Sequence, residues 1–193
     1  LPPNLTLLRC SVLYGSMAPG EIELLPKSIT TIEGPYFGLD ALAFLPASQP
    51  HIILTQQIGI DLPSSLQKRT SCKSFSFDRP RDAAASLANL PPFLTDLSLT
   101  FTLTPDILPL LPATLTRIES LVQPVTSAND FALLPRGLKI LDLYYAVAFT
   151  LPPGSSALLP PGLTHLRLGG QSSSEVDMAW LEGLPTSLTT LDL

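Results

Sequence analysis

Glu119 and Asp142 stand 23 residues apart, and Asp142 and Arg167 stand 25 apart. Two residues from these lie Arg117, Tyr144 and His165, and Asp96 stands 21 before Arg117. Carboxylates, guanidinium groups, an imidazole and a phenol on one surface could do acid–base work, hold a cation, or grip another macromolecule. Acid–base work needs two carboxyl groups whose surroundings drive their pKa values apart. Here Arg117 and Arg167 flank Glu119 and Asp142, so ion pairing is the expected role. Tyr beside Arg is the anchor chemistry of protein interfaces. The plainer alternative is mutual neutralisation on a solvated sheet, Asp96 with Arg117 and Asp142 with Arg167.

The elements that would position these residues follow from a period in the apolar residues. The chain ends in Leu184-Pro-Thr-Ser-Leu188-Thr-Thr-Leu191-Asp-Leu193, and versions of this run recur throughout. Counting each repeat from its Leu-Pro as position zero, clear starts are Leu1, Leu25, Leu45, Leu90, Leu111, Leu134, Leu159 and Leu184. A further Leu62-Pro63 breaks the rhythm. A start at Lys68 restores it and puts Cys72, Phe75 and Phe77 at positions four, seven and nine, the apolar positions of the other repeats. Nine repeats result, with steps of 20 to 25 residues. A self-similarity of this length marks a stacked-repeat architecture.

On Leu94-Leu97-Leu99, Leu138-Leu141-Leu143, Leu163-Leu166-Leu168 and Leu188-Leu191-Leu193, the chain resembles the leucine-rich-repeat superfamily. Weaker copies are Leu5-Leu8-Cys10, Ile29-Ile32, Ile52-Leu54 and Leu115-Ile118. The Leu-Pro and Ser-Leu-Thr flavour is similar to FNIP repeats and to the repeats of some bacterial secreted effectors. The resemblance implies an α/β leucine-rich-repeat solenoid: a curved horseshoe with a parallel concave sheet and short helical, 3₁₀ or irregular convex segments. That family usually carries Asn or Cys three residues after the last strand leucine. This chain has Leu13, Phe37, Gln57, Pro80, Thr102, Gln123, Ala146 and Gln171 there, so no asparagine ladder is expected.

Within a strand, side chains alternate between faces. Positions seven and nine then point inward, and six, eight and ten point to the concave face. The outward set is bland in the N-terminal half (Leu7, Arg9, Thr31, Glu33, His51, Ile53, Ser74, Ser76). In the C-terminal half it holds the seven residues named first. Three residues before each start stand Ile22, Leu42, Leu87, Leu108, Phe131 and Leu181, with Ser65 and Ser156 as exceptions. The best helix candidates are Asp40–Phe44 and Asp82–Ala88; 105–109 and 151–156 are expected to be irregular or 3₁₀. In the last repeat, capping by 174–177 and one turn of helix over 178–181 should end at Gly183. The stretch 55–82 is the least regular and reads either as drift in a tolerant loop or as a hinge or insert.

Eight of nine repeats carry Pro at position one, so the 21 prolines are ordered punctuation, not disorder. The formal charge is −5, and no basic run exists. Nucleic acid and anionic membranes are therefore poor partners. No apolar run approaches the roughly 20 residues of a membrane-spanning helix. Cys10 and Cys72 fall three strands apart, roughly 14 Å, beyond the 7 Å or so a disulfide spans. Free thiols favour a reducing compartment, and the expected location is cytoplasmic. His51 and His165 fall roughly 24 Å apart and cannot share a metal. No Gly-rich phosphate loop follows a strand. No cofactor, metal, small-molecule substrate or enzymatic activity is expected.

The chain opens inside a repeat and closes inside a strand, so the expectation is one solenoid domain over 1–193, part of a longer protein without its caps. The leading functional expectation is an interaction module that binds a partner protein on the concave strands, through Asp96, Arg117, Glu119, Asp142, Tyr144, His165 and Arg167. The alternative is the substrate-recognition segment of an F-box ubiquitin-ligase adaptor or of a secreted effector.

Overall fold

The computed structural model describes residues 2–9, 19–34, 51–54, 61–69, 72–77, 80–101, 103–120, 128–143, 155–168 and 181–192. Among them run nine strands: β1 (Leu7–Arg9), β2 (Thr31–Gly34), β3 (His51–Leu54), β4 (Ser74–Phe77) and β5 (Asp96–Leu99), then β6 (Arg117–Ser120), β7 (Ile140–Leu143), β8 (His165–Leu168) and β9 (Thr190–Asp192). The strands take chain order in the sheet. Every one begins at position six of its repeat. That includes β4, whose phase came from Lys68 and not from Leu62-Pro63.

The same backbone hydrogen bonds recur and explain why Leu-Pro sets the phase. Proline lacks an N–H and cannot continue the preceding helical turn. Its carbonyl, however, closes a turn by accepting from position four: Ile29 N–H to Pro26 at 3.1 Å, Leu138 to Pro135 at 3.1 Å, Leu163 to Pro160 at 3.0 Å. The N–H at position zero donates three residues back, as in Leu25 to Ile22 (3.0 Å) and Leu111 to Leu108 (3.2 Å). The leucine of Leu-Pro thus ends one turn and its proline opens the next, which delivers the chain extended at position five.

The chain forms two compact units, Leu1–Leu97 and Ser98–Leu193. In the N-terminal unit β1 to β4 pair in parallel, with Leu8 opposite Ile32, Ile32 opposite Ile52 and Ile52 opposite Phe75. Ile32, Ile52 and Phe75 are fully buried along this line. Phe75 and Phe77 pack edge to face with ring centroids 5.8 Å apart, filling positions seven and nine. Cys72 is a buried free thiol, pushed up to about 11 by its burial against the pull of the Arg69 charge. Cys10 lies outside the described residues.

Two short helices form on the outer side of this unit. The first, α1 (Pro19–Glu23), buries Ile22. The second, α2 (Ala83–Ala88), is capped by Asp82, whose carboxylate accepts from the Ala85 N–H at 2.9 Å. An N-cap side chain of this kind satisfies a backbone donor that the helix leaves free. Within 55–82, residues Ser64–Lys68 form a 3₁₀ helix that buries Leu66. The Leu62 N–H donates to Ser86 Oγ (3.1 Å) and the Leu62 carbonyl accepts from Asn89 Nδ2 (2.7 Å). The second Leu-Pro is therefore an outer-side segment tied to the next repeat. The Asp40–Phe44 candidate lies outside the described residues.

In the C-terminal unit β6 to β9 pair in parallel, with Ile118, Leu141, Leu166 and Leu191 in register. The first three are buried; Leu191, with only β8 described beside it, is 36% exposed. The outer segments are 3₁₀ helices at Leu108–Leu110, Ala128–Leu133 and Ser155–Leu158. Gly183 takes a φ of 92°, a conformation that β-carbon sterics disfavour in other residues. The helix expected over 178–181, and its cap at 174–177, lie outside the described residues but for Leu181.

Threonine and serine supply what an asparagine ladder would. At position five, the Thr30, Thr95, Thr164 and Thr189 hydroxyls donate to the position-five carbonyl of the preceding repeat at 3.0–3.2 Å. At position three, Ser187 Oγ lies 2.9 Å from the Pro161 carbonyl and 2.7 Å from that of Leu163, and Ser28 reaches Pro3 and Leu5 likewise. These bonds sit on the entry to each strand, on the opposite end from the family's asparagine.

Candidate interaction face

In the C-terminal unit the outward face of the strands carries two cross-strand rows. At position eight Glu119 lies opposite Asp142, Asp142 opposite Arg167, and Arg167 opposite Asp192. At position six the row is Arg117, Ile140, His165 and Thr190. Neighbouring strands sit about 4.8 Å apart, so five of the seven expected site residues, Arg117, Glu119, Asp142, His165 and Arg167, share this surface. Asp96 belongs to the N-terminal unit, where its carboxylate accepts from the Thr95 hydroxyl at 2.6 Å. Tyr144 lies outside the described residues.

The charges do not pair as strand neighbours alone would suggest. Arg167 Nε lies 2.9 Å from Asp192 Oδ2, whereas its Nη1 lies 3.8 Å from Asp142 Oδ2. Arg117 turns along its own strand to Glu119, Nη2 to Oε2 at 3.5 Å. Both guanidinium groups are thus engaged, and Asp142 receives only the long contact. Its side chain is 18% exposed, and its Oδ1 is buried with no hydrogen-bond partner. Burial raises the Asp142 carboxyl above the usual carboxylate range. The Arg167 charge opposes that shift and Glu119 adds to it.

His165 is exposed, and its Nδ1 lies 2.9 Å from Thr164 Oγ1. The Thr164 hydroxyl has one proton and directs it to the Lys139 carbonyl at 3.0 Å. The neutral ring must then donate from Nδ1 to Oγ1, which leaves Nε2 outward as an acceptor. Thr164 therefore fixes the face that His165 presents.

Two contributors escape the reading of the sequence. Asp192 sits on the outward row but outside the expected site, although it holds the shortest ion pair there; its signal was the shared position eight. Arg9 and Glu33, in a half read as bland, form the corresponding pair in the N-terminal unit, Nη2 to Oε2 at 2.7 Å. Among the described residues no group of three or more His, Cys, Asp or Glu could hold a metal ion. No helix among them is long and apolar enough to cross a membrane.

No family profile matches the chain, and no curated protein does. Among solved structures, the leucine-rich repeat-containing protein LegL7 from Legionella pneumophila is similar over 97% of this chain and 72% of that one. Its TM-score is 0.67 at 16% identity. CroV588, a circular leucine-rich-repeat protein, aligns with all of this chain and 34% of its own, with a TM-score of 0.47 and 22% identity. Likeness of the first kind, at such low identity, is likeness of fold.

Proposed function

From a chain with the leucine-rich-repeat fold, we propose a protein-interaction module that binds its partner on the outward face of β6 to β9. The observation that carries this reading is the charged row Glu119–Asp142–Arg167–Asp192, held in register on rigid strands. Four ionisable side chains at one repeat position are not needed to build the core, which positions four, seven and nine supply. Exposed ion pairs contribute little to stability, typically under about 1 kcal/mol each. Their strength is in fixing register and selecting a complementary surface. Arg117 and His165 border the row and extend it as a polar rim, and Ile140 between them offers apolar area.

The test is charge reversal. A partner isolated on the immobilised chain should bind Arg167→Glu and Arg117→Glu at least about ten-fold more weakly, as expected for altered interfacial charge pairs. The far-UV circular dichroism of both variants should match that of the parent. Equal affinity for both variants and the parent would remove this face from the interface.

A further inference from the structure

We infer that Asp142 is the anchor of this face and accepts a lysine or arginine side chain from a basic segment of the partner protein; the inference rests on the binding role proposed above. Asp142 Oδ1 is buried and has no partner. The nearest cationic atom to its other oxygen, Arg167 Nη1, stands 3.8 Å away, outside hydrogen-bond range. A buried carboxylate oxygen without a donor is costly, and natural structures keep few of them.

The neighbours do not fill the vacancy. Arg167 cannot turn its Nε to Asp142 without leaving Asp192 at 2.9 Å. Arg117 lies with Glu119 on β6. The local sum is three carboxylates (Glu119, Asp142, Asp192) against two guanidinium groups (Arg117, Arg167), one negative charge in excess. A donor that is also a cation meets both needs at once, and its hydrogen bonds to a carboxylate are charge-assisted.

A divalent ion fits less well, because it requires several converging oxygen ligands, and the described residues bring no such group together. A long basic side chain fits better. Ile140 lies two residues before Asp142 on β7, on the same face and half-buried. It offers an apolar rest for the methylene stem while the charged head reaches Asp142. Glu119, whose side chain is 38% exposed, stands on the adjacent strand as a second acceptor for a neighbouring basic residue.

The experiment is selection of a phage-displayed random dodecapeptide library on the purified chain. Recovered peptides should carry Lys or Arg. Each should bind Asp142→Asn about ten- to a hundred-fold more weakly, the loss expected for one hydrogen bond to a charged group. The same loss should follow when the peptide's basic residue is changed to citrulline or acetyl-lysine, a measurement that needs no protein variant. Selection on Asp142→Lys should instead recover acidic peptides. Peptides that lack a basic residue, or that ignore Asp142→Asn yet are weakened by Arg167→Glu, would overturn the anchor and leave the face standing. Peptides insensitive to Asp142→Asn, Arg167→Glu and Arg117→Glu alike would overturn both. A selection that recovers no binder from the parent chain counts against the anchor.

Discussion

Three residues before the Leu-Pro, the described repeats bury Ile22, Leu87, Leu108 and Phe131, but the eighth repeat buries Ser156. Repeat logic says that Ser156→Leu should stabilise the chain by restoring the pattern. The structure says the reverse. Ser156 Oγ donates to the Glu182 carbonyl of the following repeat at 2.6 Å. The next residue is Gly183 in its positive-φ turn, and a β-carbon built there would stand 3.3 Å from Ser156 Oγ and 3.7 Å from Ala157 Cβ. That turn occupies the space a leucine would need. Ser156→Ala removes the hydrogen bond and should cost about 1–2 kcal/mol. Ser156→Leu removes it as well and forces three extra carbons against the turn, adding about 1–3 kcal/mol of overpacking. Leucine should therefore be the worse of the two, at about 2–5 kcal/mol in all. Urea unfolding followed by far-UV circular dichroism reads the midpoint and the slope. Hydrogen exchange over 155–168 and 181–192 shows whether the loss is local, since neighbouring repeats share their stability. A Ser156→Leu chain that unfolds at the same urea concentration as the parent, or higher, would refute the reasoning.

Phe75→Ala should cost about 3–5 kcal/mol, because a fully buried aromatic side chain is lost from positions seven and nine of the fourth repeat; a loss below about 1 kcal/mol in the same urea assay would sink the Lys68 phase. The Asp142 carboxyl should make stability fall as pH rises. Its folded value lies above the usual range near 3.9. Between those two values the folded chain holds a proton that the unfolded chain has lost, and this contribution to stability disappears as pH passes the folded value. Asp142 is faced by Glu119, Arg117, Arg167 and Asp192. Comparison of the parent with Asp142→Asn across mild acid isolates its share, and a parent curve that rises relative to the variant over this window would contradict the assignment.

The strand positions were legible because several independent constraints agree on one phase. Proline at position one, apolar residues at four, seven and nine, and a turn residue three before the start all count from the same origin. Even the fourth repeat, without its Leu-Pro, could be placed from Cys72, Phe75 and Phe77 alone. Its true Leu-Pro at Leu62 misleads because the dipeptide serves any place where a helical turn must be interrupted. Here it precedes Ser64–Lys68 and not a strand. The Asp82 cap and α2 were legible for a different reason: an aspartate before a run of good helix formers satisfies local demands without help from tertiary structure.

Pairing on the outward face was not legible, and the reason is physical. Position eight tells which side chains share a row, since period-two alternation fixes the face. It does not tell which of two carboxylates wins a guanidinium group placed between them. Asp142 and Asp192 are equivalent neighbours of Arg167 in the sequence pattern, yet one lies at 2.9 Å and the other at 3.8 Å. That difference of less than 1 Å separates a formed ion pair from a carboxylate left with a buried, unsatisfied oxygen. The exposed edge favours Asp192, whose side chain is 59% exposed against 18% for Asp142. The cation thus sits with the partner that needs it less, since Asp192 has water and Asp142 does not. An arrangement that leaves the more desolvated charge uncompensated is poor for the free chain, and it is what a surface awaiting a cation from elsewhere would look like.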